Sequence, residues 1–167
     1  MSRVVRLQIW LAGLWAGSIL AVGGVAAPSL FAVLERVHAG NGAGRIFAVE
    51  ANVSLVMAVL LFALERRRVR DAVETGQAQS AMSVNLLLVL AALFLTIMGQ
   101  HVLHPLIQAA KAGQPGLFSF AALHGASAML YWVKALTVLV LAWRLTAEFA
   151  PASGRASASG PAAASSR

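Results

Sequence analysis

With 59% apolar and 11% charged side chains in 167 residues, the chain holds more apolar surface than one soluble core can hide. Soluble domains run at roughly 45–50% apolar and about 25% charged. The formal charge of +7, from 13 Lys and Arg against 6 Asp and Glu, acquires meaning only once it is placed along the chain, and the lack of cysteine excludes disulfide frameworks, thiolate metal sites, c-type haem attachment and cysteine nucleophiles.

A spanning helix needs about 20 mostly apolar residues, because roughly 30 Å of hydrocarbon is crossed at 1.5 Å per residue. The first such run is Leu7 to Ala27, without a charge. Read as a signal peptide, it would use Arg3 and Arg6 as the charged flank and Val25-Ala26-Ala27 as the cleavage site. Its length exceeds the usual apolar region, and Pro28 would follow the scissile bond, so a retained helix is expected. Gly13, Gly17, Ala21 and Gly24 form a small-residue stripe that predicts close helix packing within the bundle. The same Gly13/Gly17 stripe would also serve a homo-oligomer or a membrane partner. Pro28 predicts a kink. Ser29 to Val37 then reads as a helical extension turning toward the interface and stopped by the glycines of 40–44.

The second run, Ile46 to Leu64, contains Glu50, with Ser54 one turn on. The third, Ala81 to Gly99, places Asn85, Thr96 and Gln100 on a narrow stripe and is closed by His101 and His104. The fourth, Leu117 to Trp143, carries His124, Ser127, Tyr131 and Lys134 within an arc of about 80° at 100° per residue. These runs predict an all-α fold: an integral membrane four-helix bundle, antiparallel and up-down, over residues 1–146, with helices at about 7–34, 46–65, 81–103 and 118–145. Residues 147–167, rich in Ala, Ser, Gly and Pro, read as a disordered cytoplasmic tail.

Nine basic residues fall at the two termini and in the Arg66–Arg70 loop, and three (Arg36, Arg45 and Lys111) fall on the other side. The positive-inside rule then puts both termini in the cytoplasm, with Trp10 and Trp143 in an aromatic belt at that surface. The arginine cluster is read as a topology signal facing the lipid bilayer, not as a nucleic-acid patch.

Ionisable groups inside a bilayer are costly and point to function by default. Counted from the start of its run, Glu50 lies about 6 Å deep and His124 a turn or two deep, so His124 is the expected partner of Glu50. Lys134 and Asn85 are expected in the inner half, the lysine snorkelling toward cytoplasmic water. Glu50, His101, His104 and His124 could hold a divalent metal, paired histidines a haem, and Glu–His pairs a proton relay. Hydrogen-bonding glue between helices is the leading reading. No catalytic constellation is present, so no enzyme and no obligate cofactor are expected.

Four segments together resemble the transmembrane protein 205-like family, a domain of unknown function. They are Trp15–Leu20 with Ala26-Ala27-Pro28-Ser29-Leu30-Phe31, Ala39-Gly40 with Gly44–Phe47, His104-Pro105-Leu106-Ile107, and Phe120 to Ser127 with its Leu-His-x-x-Ser element. The resemblance spans about residues 10–145 and implies a small four-helix protein of the bacterial inner membrane. It carries no activity and hence no catalytic residues. Tyr131-Trp132 departs from the polar amide usual in such relatives, and His101 and His104 lie outside the shared motifs. The expectation is a non-enzymatic structural or accessory membrane protein of undefined role. The alternatives are a small transporter or ion-coupled tolerance protein using the outer Glu/His cluster, or a haem- or metal-binding protein.

Overall fold

The computed structural model describes residues 3–76 and 82–148. The tail expected at 147–167 lies almost wholly outside the described residues. Among them the chain is all helical, with four helices long and apolar enough to cross a membrane: α1 (Arg3–Val33), α2 (Arg36–Glu74), α3 (Val84–Lys111) and α4 (Phe120–Glu148).

Helix α2 overruns its predicted limits of 46–65 at both ends. Its 39 residues make a rod of about 58 Å, well beyond the hydrocarbon thickness. The glycines at 40–44, expected to break the chain, are helical, and Gly42 lies under the Leu30 side chain of α1. The arginines at 66–70 mark where the helix leaves an apolar environment, not where it ends, because Arg, Glu and Ala are good helix formers in water. Backbone geometry sets the real boundaries. Leu34 is extended (φ −118°, ψ 152°) and separates α1 from α2. Gly76 and Gly113, at φ 71° and 75°, supply the left-handed residue that ends α2 and α3.

Two helices contain a wide turn, Val22–Ala26 in α1 and Met98–Leu103 in α3, where the N–H of Ala27 reaches the carbonyl of Val22 and that of His104 reaches Gly99. Each precedes a proline. Pro28 and Pro105 lack an N–H, and a proline ring crowds the carbonyl four residues back, here Gly24 and His101. Opening the ladder by one residue relieves that crowding and lets the helix continue. The predicted third helix, ending at 103, therefore runs on to Lys111.

Packing runs round a ring in which α1 and α3 each lie against α2 and α4. The core is filled by Ala12, Trp15 and Ile19 of α1, Ala58 and Leu61 of α2, Val89 and Ala92 of α3, and Val138, Leu141 and Leu145 of α4. The outer surface is apolar, as lipid requires, with Leu14, Phe94 and Leu136 pointing outward, and Trp10 and Trp143 are 70% and 75% exposed. The small-residue stripe of α1 does not enter the bundle. Gly13, Gly17, Ala21 and Gly24 are exposed, and a side chain at Gly13 or Gly17 would meet nothing within 4 Å. The buried stripe is instead Val5, Gln8, Ala12, Trp15, Ala16 and Ile19, because burying the indole of Trp15 removes far more apolar area than burying glycines.

One end of the bundle is closed by polar contacts among all four helices. The Glu65 carboxylate of α2 accepts from Gln8 Nε2 of α1 at 2.8 Å, from Ser83 Oγ at the start of α3 at 2.6 Å, and from Arg68 at 2.6 and 2.8 Å. Asn85 of α3 donates to Glu148 of α4 at 3.1 Å and accepts from Arg144 at the same distance. Arg68 and Arg144 add ion pairs to Glu148 at 3.8 and 3.0 Å. These contacts bring the N-terminal ends of α1 and α3 together with the C-terminal parts of α2 and α4.

Candidate functional site

The opposite half of the bundle is hollow. A half-open cavity of about 800 Å³ is walled by all four helices, within the roughly 300–1,000 Å³ of small-molecule sites. Helix α2 lines it with a helical stripe that begins at Arg36 and Val37, runs through the small residues Gly40, Ala43 and Gly44, and reaches Phe47 and Glu50 at its inner end. Gly99, in the wide turn of α3, lines the adjoining wall. At Gly40, Gly44 and Gly99 an added Cβ would meet nothing within 4 Å, so these glycines leave volume in the cavity instead of admitting a neighbouring helix.

A buried polar chain forms the floor. Lys134 Nζ of α4 donates to both carboxylate oxygens of Glu50 on α2, at 3.0 and 2.7 Å, and each residue is 4% exposed. Ser54 Oγ donates to Glu50 Oε1 at 2.5 Å and accepts from the indole N–H of Trp15 on α1 at 2.8 Å. The ammonium also lies 4.9 Å from the centre of the Tyr131 ring. Tyr131 packs edge-on against Phe47 and donates its hydroxyl to the Ile19 carbonyl at 2.7 Å. The ion pair thus spans the ring diagonal between α2 and α4, with every strong donor and acceptor satisfied, as a low-dielectric site demands.

His124 is not the partner of Glu50. Both Glu50 and Lys134 stand 14 residues from the starts of their helices, at Arg36 and Phe120, which puts them at one level about 21 Å along the axis. His124 is only 4 residues into α4, so it lies roughly 15 Å nearer the open end, where it is exposed and stacks on Phe120 at 5.7 Å. The expectation failed because depth was counted from where the apolar run begins, not from where the helix begins. Lys134 likewise does not snorkel: it is held by Glu50 in the core.

His124, Ser127, Tyr131 and Lys134 all lie on the cavity wall, joined from α3 by Thr96, Gln100 and His104. Thr96 turns its hydroxyl back to the Ala92 carbonyl at 2.8 Å. Asn85 sits at the other end with Glu148. The four residues considered for a metal are not assembled. Glu50 is engaged by Lys134 and Ser54, His101 is exposed and off the cavity wall, and His104 bonds Gln108 at 3.3 Å. Among the described residues no three His, Asp or Glu side chains converge as a ligand set.

Sequence reading missed Trp15, Glu65 and the cavity glycines. A tryptophan on the same face as Gln8 in an otherwise apolar run was the available signal, since a buried indole N–H needs an acceptor. Neither a curated protein nor a solved structure matches the chain. The family described as Domain of unknown function (DUF4149) matches residues 10–115, through α1, α2 and α3 and short of the Leu-His-x-x-Ser element on α4. That is more than half of the 167 residues, and the chain belongs to this family.

Proposed function

We propose that this chain is a multi-pass protein of the bacterial inner membrane, a non-enzymatic binding protein that takes an amphipathic molecule into the hollow half of its bundle. The helices run antiparallel, up and down, with α1 bent at Pro28 and both termini cytoplasmic. The excess of arginine at the Glu65 end supports that orientation and leaves the cavity in the outer half. The narrower likeness to transmembrane protein 205-like proteins belongs to the same reading and rests on the four sequence elements that carry it.

The observation behind the binding reading is the cavity itself: four helix walls, an apolar lining and glycine where side chains would otherwise close the space. A bundle held together only by polar glue gains nothing from such a space, because unfilled volume forfeits dispersion contacts. The reading requires neither haem nor metal, and it assigns the Glu50–Lys134 pair to the floor, where the pair fixes the depth of the site.

The test uses the full chain in phosphatidylcholine nanodiscs with N-phenyl-1-naphthylamine, a neutral apolar fluorophore. Saturable binding is expected, weakened by about tenfold or more in Gly44→Trp, whose indole occupies the cavity, with thermal stability no lower than that of the wild type. Absence of saturable binding, or binding indifferent to Gly44→Trp, overturns the reading.

A further inference from the structure

We infer that the molecule held in the cavity is an anionic amphiphile, its acidic headgroup set between Arg36 and Lys111 at the rim and its apolar portion inside. This rests on the binding reading above and adds the sign of the headgroup.

The charge of the lining carries the argument. Among the described residues Glu50 is the only carboxylate on the cavity wall, and Lys134 neutralises it on the floor. Arg36 and Lys111 remain at the rim, both exposed, and among the described residues neither is paired with a carboxylate. The acidic neighbour Glu35 instead approaches His38, at 3.8 Å. Lys111 Nζ donates to Asn41 Oδ1 at 2.8 Å, which ties the end of α3 to the first turns of α2, the helix that begins at Arg36. The first turn of α2 has no acidic residue and no side-chain cap. Its free N–H groups and the positive end of its dipole therefore add to the field of Arg36. The rest of the wall is mainly apolar, with Phe31, Val37 and Ile107 among its lining and Gln100, His104, His124 and Ser127 as uncharged or weakly basic polar groups.

A cationic rim above an apolar well repels a cationic amphiphile and gives a zwitterionic one no net advantage. An anionic headgroup at the rim is attracted by Arg36, by Lys111 and by the start of α2. Arginine and lysine offer the fork and the point charge that bind phosphate, and both also bind carboxylate. The shared requirement is an acidic group on an apolar chain, which a phosphodiester lipid or a long-chain fatty acid would supply.

Competition on the full-length protein in phosphatidylcholine nanodiscs decides it. Phosphatidylglycerol, oleate and additional phosphatidylcholine are each titrated against bound N-phenyl-1-naphthylamine. Phosphatidylglycerol or oleate, or both, should displace the probe on the order of tenfold better than phosphatidylcholine, and their order identifies the source. Arg36→Gln/Lys111→Gln should remove that preference, bringing the displacement ratio close to one. Equal displacement by anionic and zwitterionic lipid, with the probe still binding, overturns this inference and leaves the binding reading standing. A preference that survives in the double variant overturns the assignment to Arg36 and Lys111. Loss of all saturable probe binding by the wild-type protein overturns both.

Discussion

Lys134→Met removes the cation that faces Glu50 and leaves the carboxylate with Ser54 as its remaining partner, in a place where only 4% of the residue meets the outside. Breaking one side of a buried ion pair costs about 3–5 kcal/mol, because the other charge stays behind unpaired. An ordinary polar contact between membrane helices is worth about 0.6 kcal/mol on average, so the two cases are well separated. At roughly 2–4 °C per kcal/mol for a chain of this size, the single variant should melt about 6–20 °C lower in mild detergent. Removing both charges in Glu50→Leu/Lys134→Met should return stability to within about 1–2 kcal/mol of wild type, since a buried pair gains little over apolar packing. Ser54 can then turn its hydroxyl to the carbonyl of residue 50 and keep accepting from Trp15. Tryptophan fluorescence follows the unfolding and is sensitive to Trp15 at this level of the bundle. A double variant as unstable as the sum of the singles, or a single variant costing less than about 1 kcal/mol, would refute a paired charge in the core.

Gly17→Leu should leave the melting temperature unchanged, since nothing lies within 4 Å of its added carbon, whereas Ala12→Leu should lose about 1–3 kcal/mol by overfilling the core. A lower melting temperature for Gly17→Leu would mean that the stripe packs against another chain. Tyr131→Phe should cost about 0.5–1.5 kcal/mol in detergent unfolding, the net worth of its bond to the Ile19 carbonyl. Glu65→Gln should cost about 1–3 kcal/mol, because one carboxylate serves Gln8, Ser83 and Arg68 together; an unaltered unfolding curve would remove this cluster from the account of how the end is closed. Gly40→Ala/Gly44→Ala should stabilise the protein by about 1–2 kcal/mol through helix propensity alone, read in the same melts.

The four spans were legible because apolar run length is set directly by membrane thickness, and Glu50 with Ser54 one turn away was legible because helical periodicity is local. What failed were inferences that treated a change in composition as a change in structure. Gly40–Gly44 read as a loop because glycine is a poor helix former, and Arg66–Arg70 because the apolar run had ended, yet both are helical in α2. In the first stretch the small residues line a space, and in the second the charges ride on a helix continuing past the apolar zone. The error at Glu50 followed from this: with the start of α2 misplaced by ten residues, its partner was sought on the wrong turn of α4. Gly13 and Gly17 failed for another reason. A small-residue stripe states that a close approach is sterically open, and it cannot state that the approach is made; Trp15 and Gln8, which have indole and amide hydrogens to satisfy, settled which face of α1 turned inward.

The molecule divides at the level of Glu50 and Lys134. On one side Trp15, Leu61, Leu141 and Leu145 fill the space between the helices, and charged contacts close the end. On the other side lie both wide turns, both prolines that follow them, and Gly40, Gly44 and Gly99 with room beside them. Glycine in a helix costs about 0.5–1 kcal/mol relative to alanine, and Gly40, Gly44 and Gly99 incur that cost without the compensation of a closer helix contact. Filling the same positions with leucine would add apolar burial at roughly 25 cal/mol per Å². A bundle shaped by stability alone would therefore be packed along its whole length. The buried ion pair fits the same division: apolar residues there would hold the helices at least as well, but charges fixed by four hydrogen bonds give the hollow a floor that does not collapse into it. The hollow half is thus kept open at the expense of stability, with its rigid base supplied by the packed half.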